Sequence, residues 1–183
     1  MKAFIPDLAQ QIQFTLDAGA ADQKRYPGPR EWKLVALRET ALPGDATACD
    51  TPARVADYYR ANISGGTGKA THNADVECFY ILVLTSRRHV KGHVLISTGS
   101  LDTLLVHPRE VFRPAIVAAA AAIILIHNHP SGDPTPSEAD IKVTRDLIRA
   151  GQLLKIDVLD HVIIGNPNFV SLRELGYFYQ GQP

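Results

Sequence analysis

Cysteine is scarce in this chain, with only Cys49 and Cys78 among 183 residues. Two thiols build neither a disulfide framework nor a cysteine-based zinc site, and they suit a reduced, cytoplasmic setting. An excess of charge of either sign is also lacking. Nineteen Lys and Arg stand against nineteen Asp and Glu, and the balance is local: residues 1–75 carry nine of each sign and residues 76–183 carry ten of each. Proteins that neutralise phosphates cluster their Lys and Arg, so charge gives no support to a nucleic-acid partner. Long apolar runs are missing too. The longest, Ala115 to Ile126, has 12 residues, against about 20 for a membrane-spanning helix, and Met1 to Asp7 lacks the apolar centre of a signal peptide. The expectation is a soluble cytoplasmic protein with no membrane partner; nothing fixes its oligomeric state. What is present is an ordinary globular composition, 45% hydrophobic and 21% charged. A chain of this size buries roughly 70% of its unfolded surface, so it needs no metal merely to stay folded, and any metal would serve function.

Residues 1–50 read as an N-terminal segment of unclear role, ahead of a domain over 51–183. Tyr26-Pro27-Gly28-Pro29 and Leu42-Pro43-Gly44-Asp45 look like turns, and residues 32–37 between them fit a strand or a short helix. Thr51 then caps a helix whose first residue is Pro52, with Val55, Tyr58 and Tyr59 as its apolar stripe and an end near Ile63. The glycine-rich residues 64–70 have Ile63 where a phosphate loop needs its first glycine and Ala70 where Ser or Thr must follow the lysine, so they read as a linker. Residues 76–84 form a buried strand, 85–89 a hairpin connection and 90–97 the returning strand. His107-Pro108 opens a second helix, which the alanines to Ala122 extend before Ile123 to Ile126 form a strand ending at His127. A third helix starts near Ser137, buries Ile141, Leu147 and Ile148, and stops before Gly151 acting as a C-terminal cap. Residues 156–164 supply one more strand. Strands alternating with helices define an α/β fold about one sheet.

The segment richest in chemistry is His127-Asn128-His129-Pro130-Ser131-Gly132-Asp133-Pro134-Thr135-Pro136-Ser137-Glu138-Ala139-Asp140. Side chains two apart in extended chain point to one side, so His127 and His129 can converge on one ion. Asp140, in the first turn of the following helix, is the natural carboxylate for a site with two imidazoles and a position left for water. A structural alternative stands beside this one: Ser137 and Asp140 also fit a capping box, and the histidines can serve as turn residues. Glu77, one of six glutamates, reads on its own as a solvent-facing carboxylate at a strand's edge, although that strand is too apolar to carry a charge without a reason. His161 reads as a hydrogen-bonded core residue or as a group packed behind the site, and Cys78 as a buried, inert thiol.

The spacing His-x-His-x(7)-Ser-x-x-Asp, with a glutamate on an earlier strand, resembles the JAMM signature of the JAB/MPN metallopeptidases. His127 through Ser137, His107-Pro108-Arg109-Glu110-Val111-Phe112 and Leu159-Asp160-His161-Val162-Ile163-Ile164-Gly165 are similar to the bacterial RadC family. The resemblance covers residues 52–176, and the helix-hairpin-helix segment of longer members is not apparent ahead of it. It implies a cytidine-deaminase-like mixed sheet flanked by helices, with one zinc ion (Zn2+) on His127, His129 and Asp140. It further implies Glu77 as general acid and base and Ser137 as oxyanion donor. The activity implied is hydrolysis of peptide or isopeptide bonds in a peptide or protein substrate. Two other readings remain: a DNA-repair-associated protein without hydrolase activity, and a non-catalytic interaction module braced by its metal.

Overall fold

The computed structural model describes residues 48–65, 72–99 and 106–178. The turns at 26–29 and 42–45, the element at 32–37 and nearly all of the N-terminal segment 1–50 lie outside the described residues, as does most of the 64–70 linker.

Helix α1 (Pro52–Tyr59) starts where the sequence places it. Thr51 Oγ1 accepts from the Arg54 amide at 3.4 Å, Pro52 occupies the first turn, and the helix loosens into a π-turn over Arg60–Ser64. Strands β1 (Cys78–Leu84) and β2 (Val90–Thr98) form the expected hairpin. Helix α2 (Pro108–Val117), strand β3 (Ala122–Asn128), helix α3 (Glu138–Leu154), strand β4 (Asp157–Ile164) and the short β5 (Phe169–Ser171) follow. The five strands make one mixed sheet in the order β2-β1-β3-β4-β5. Among the described residues only β3 and β4 are parallel, joined by α3 as the crossover that parallel strands require. This is an α/β fold with a mixed sheet between helices. No helix among the described residues is long and apolar enough to cross a membrane.

Alternation along the strands explains the two faces. Tyr80, Leu82 and Leu84 of β1 join Ile124 and Ile126 of β3 in burying Val55, Ala56, Tyr58 and Tyr59 of α1. Phe79, Ile81 and Val83 point the other way and, with Ile123 and Leu125, pack against α2 through Val111 and Phe112 and against α3 through Val143 and Leu147. The odd-numbered face of β3 therefore runs from apolar core into His127.

Two helix ends differ from the expectation. The alanine tract does not carry α2 to Ala122; the helix stops at Val117. Ala119 takes a left-handed conformation (φ 47°), and its amide and that of Ala120 bond back to Ile116 O and Ala115 O at 3.0 and 2.9 Å. That is a Schellman stop made without glycine. The Lys91 ammonium from β2 donates to the Ala118 and Ala119 carbonyls, satisfying the helix end with a cation from a distant element. Gly151, in turn, does not end α3. The helix continues to Leu154 and closes on Lys155, whose φ is 57°. A Cβ at Gly151 would sit 2.5 Å from Ile156 O and 3.2 Å from Phe112 Cζ, so the glycine lets α3 approach α2 and its own exit turn. Gly151→Ala is expected to lower stability by about 1–3 kcal/mol despite alanine's better helix propensity; a shift of the denaturation midpoint to lower urea checks it.

Candidate metal centre

The carboxyl end of β3 meets the amino end of α3, the place where α/β sheets present their chemistry. His127 is the last residue but one of the strand, with its ring fully buried. His129, one residue past the strand, points to the same side, and its amide donates to Ile164 O at 2.9 Å. The proline-rich loop that follows is held on the β4–β5 connection: the Asn166 amide donates to Gly132 O at 2.9 Å. Gly165 makes that approach possible, because a Cβ there would collide with Gly132 O and lie 2.7 Å from Pro134 Cδ.

Ser137 and Asp140 do form a capping box. Asp140 Oδ2 accepts from the Ser137 amide at 2.7 Å and from the Ser137 hydroxyl at 2.6 Å, while Ser137 Oγ accepts from the Asp140 amide at 3.2 Å. Capping and metal binding do not compete for Asp140, because its oxygens divide the work. Oδ1 is buried, accepts no hydrogen bond and lies 3.2 Å from His127 Nε2. The Ser137 hydroxyl hydrogen is engaged by Asp140 Oδ2.

The Nδ1 atoms of both histidines are occupied elsewhere. His129 Nδ1–H donates to Asp133 O at 2.8 Å, which leaves Nε2 a bare lone pair in the neutral ring. His127 Nδ1 is paired with His161 Nε2 at 2.8 Å. The two Nε2 atoms face each other at 3.0 Å, and His129 Nε2 lies 3.6 Å from Asp140 Oδ2. Ligand atoms of His127, His129 and Asp140 all fall within 4.8 Å of one another, the one such group among the described residues. Ligands at ~2.0–2.1 Å from a tetrahedral ion stand about 3.3 Å apart, close to the 3.0 and 3.2 Å found here. Lone pairs gathered around a buried carboxylate oxygen that accepts no hydrogen bond fit a cation, so these residues form a set that can bind a metal ion.

The electrostatics carry the same message. Burial, with the adjacent His161, drives His127 well below the usual imidazole range, so it is neutral and ready to ligate. Burial likewise pushes His161 down to about 4. His129 is raised, chiefly by its interaction with Asp140, with a small contribution from the charge of Glu77. Burial opposes ionisation of Asp140, but His129, His127 and the Ser137 bonds outweigh it and hold the carboxyl below its usual range.

Glu77 immediately precedes β1. Extending the β1–β3 register outward from Phe79↔His127 by two residues sets it opposite His129. Asn128 fixes that backbone from both sides: its side chain accepts from the Cys78 amide and donates to Val76 O, each at 3.0 Å. Cys78 itself is fully buried. Sequence reasoning passed over Asn128 as an organiser of Glu77 and missed Thr144, whose spacing of four from Asp140 was the available signal. His72 and His93 bond tyrosine hydroxyls on the opposite face and are not part of the site.

The mixed α/β sheet carries a His-His-Asp cluster that can bind a metal ion at a strand's carboxyl end. The model of the RadC-like JAB domain matches residues 49–177, and the chain belongs to that family. A UPF0758 protein of Moorella thermoacetica is 41% identical over 163 residues, covering 89% of this chain and 71% of that protein. A UPF0758 protein of Desulfitobacterium hafniense is 57% identical over 102 residues, 56% of this chain and 45% of the relative. One of Methanosarcina mazei is 48% identical over 101 residues, 55% and 44% of the two chains. In most of these matches the chain spans about half the length of the curated relative.

Proposed function

We propose that this domain is a zinc-dependent hydrolase of peptide or isopeptide bonds in a cytoplasmic peptide or protein substrate. The observation that carries the reading is the buried Asp140 Oδ1, which accepts no hydrogen bond and lies 3.2 Å from His127 Nε2. Two neutral imidazoles and one carboxylate are the donor set of catalytic rather than structural zinc. Bound there, zinc would polarise a carbonyl and lower the pKa of a water toward ~7.

The chain's own residues supply the rest. The Glu77 carboxylate takes a proton from the attacking water and delivers it to the departing amine nitrogen as the C–N bond breaks. The Ser137 hydroxyl, now donating to Asp140 Oδ2 at 2.6 Å, turns its hydrogen toward the carbonyl oxygen as negative charge develops. Asp140 keeps the Ser137 amide at Oδ2 during that turn, so the helix cap survives it. The test is metal content of the purified protein with cleavage of a peptide library before and after chelation. Zinc-dependent cleavage supports the reading, and a metal-loaded protein inert toward peptides and isopeptides contradicts it.

Zinc affinity carries a sign that follows from the imidazoles. His129 holds a proton above the usual pKa of ~6.5, whereas His127 holds none until far lower pH. Below the pKa of His129 zinc therefore displaces one proton, and affinity falls about tenfold per pH unit there. Two unperturbed histidines would give a steeper fall beginning only near ~6.5. Competition titrations between about pH 5 and 8 distinguish these, and a flat profile rules out histidine coordination.

A further inference from the structure

We propose that Thr144 and His161 are positioning residues that dictate which nitrogen of His127 carries its proton, keeping His127 Nε2 bare toward the metal position. The effect on zinc rests on the metal reading above; the proton assignment does not.

Thr144 Oγ1 lies 2.6 Å from the Asp140 carbonyl oxygen and 2.6 Å from His161 Nδ1. A carbonyl oxygen has no hydrogen to give, and a hydroxyl has one, so Thr144 donates to Asp140 O. Its oxygen must then accept from His161 Nδ1–H. A neutral ring protonated at Nδ1 is bare at Nε2, so His161 Nε2 accepts from His127 Nδ1–H across 2.8 Å. His127 Nε2 is left as a lone pair facing Asp140 Oδ1 at 3.2 Å. His127, Thr144 and His161 are all fully buried, so water cannot substitute for any partner. The chain of bonds starts on the backbone of one ligand residue and ends on the ring of another, tying the two together.

One irregular feature of the fold makes this arrangement possible. Val158 and His161, three residues apart, face the same side of the sheet, which regular alternation forbids. A bulge between the pairs Ile123↔Val158 and Ile124↔Asp160 turns His161 onto the His127 side. Phe79 then stacks on the His127 ring at 17° and meets the His161 ring edge-on at 70°, fixing both planes.

The experiment is nitrogen-15 NMR of the imidazoles in zinc-free protein at about pH 8, with zinc affinities by chelator competition. In the parent, His127 and His161 are expected to be protonated at Nδ1 and bare at Nε2. Thr144→Val removes the acceptor while keeping the shape. It should shift His127 toward the Nε2-protonated form and weaken zinc binding roughly 10- to 100-fold, and Thr144→Ser should restore both. A parent His127 protonated at Nε2 overturns the proposal without recourse to any variant. So does a folded Thr144→Val protein with the parental proton pattern and zinc affinity. A parent that shows the expected pattern, loses it on Thr144→Val and yet binds no zinc would uphold the relay and sink the metal reading instead.

Discussion

Glu77→Gln is expected to hold zinc as tightly as the parent and to cleave its substrate about 10²- to 10⁴-fold more slowly, the range that a positioned general base contributes. Affinity is spared because Glu77 lies outside the ligand cluster of His127, His129 and Asp140. The carboxamide has the size of the carboxylate but neither takes a proton from water nor returns it to an amine. The backbone that carries residue 77 is held by Asn128 at both neighbours, so the substitution leaves the position of the side chain's root intact. Measured kcat should fall with little change in KM. A variant with the parental rate would remove Glu77 from the chemistry, and a variant that lost zinc would make it a ligand.

His127→Ala and Asp140→Ala are expected to weaken zinc binding by at least about a hundredfold each. Structural zinc sites reach ~10 kcal/mol or more of binding free energy, or about 3 kcal/mol for each ligand. The two variants should differ in stability. Asp140→Ala also removes the capping box of α3, worth about 0.5–2 kcal/mol, and should melt lower than loss of metal alone explains. His127→Ala instead leaves His161 Nε2 without its partner at 2.8 Å. Circular dichroism separates a folded, metal-free variant from an unfolded one.

Much of this candidate site was legible because its residues obey local periods. His127 and His129 are two apart at a strand end, and Ser137 and Asp140 are three apart at a helix start, so sequence spacing alone sets them on common faces. The sheet's main strands were legible for the same reason. What sequence could not show depends on contacts between elements. Alternation along β4 gives no hint of the bulge that turns His161 toward His127, since the bulge is defined against β3. The division of labour between the oxygens of Asp140 concerns single atoms, and sequence could only pose capping and ligation as rivals. Gly151 looked like a helix stop, although its reason is the nearness of Phe112 and Ile156 O. The alanine tract favoured a longer helix, while Lys91 and a left-handed Ala119 end it at Val117. Strand β5, at three residues, is too short to show a period at all.

Whether His127, His129 and Asp140 hold one zinc ion is decided by a calorimetric zinc titration of the chelator-stripped protein. One ion per chain is expected, with up to one proton released as the pH falls below the pKa of His129, and with that binding lost in both His127→Ala and Asp140→Ala. Binding that persists unchanged in those two variants, or no binding by the folded parent, would contradict a zinc site on these residues.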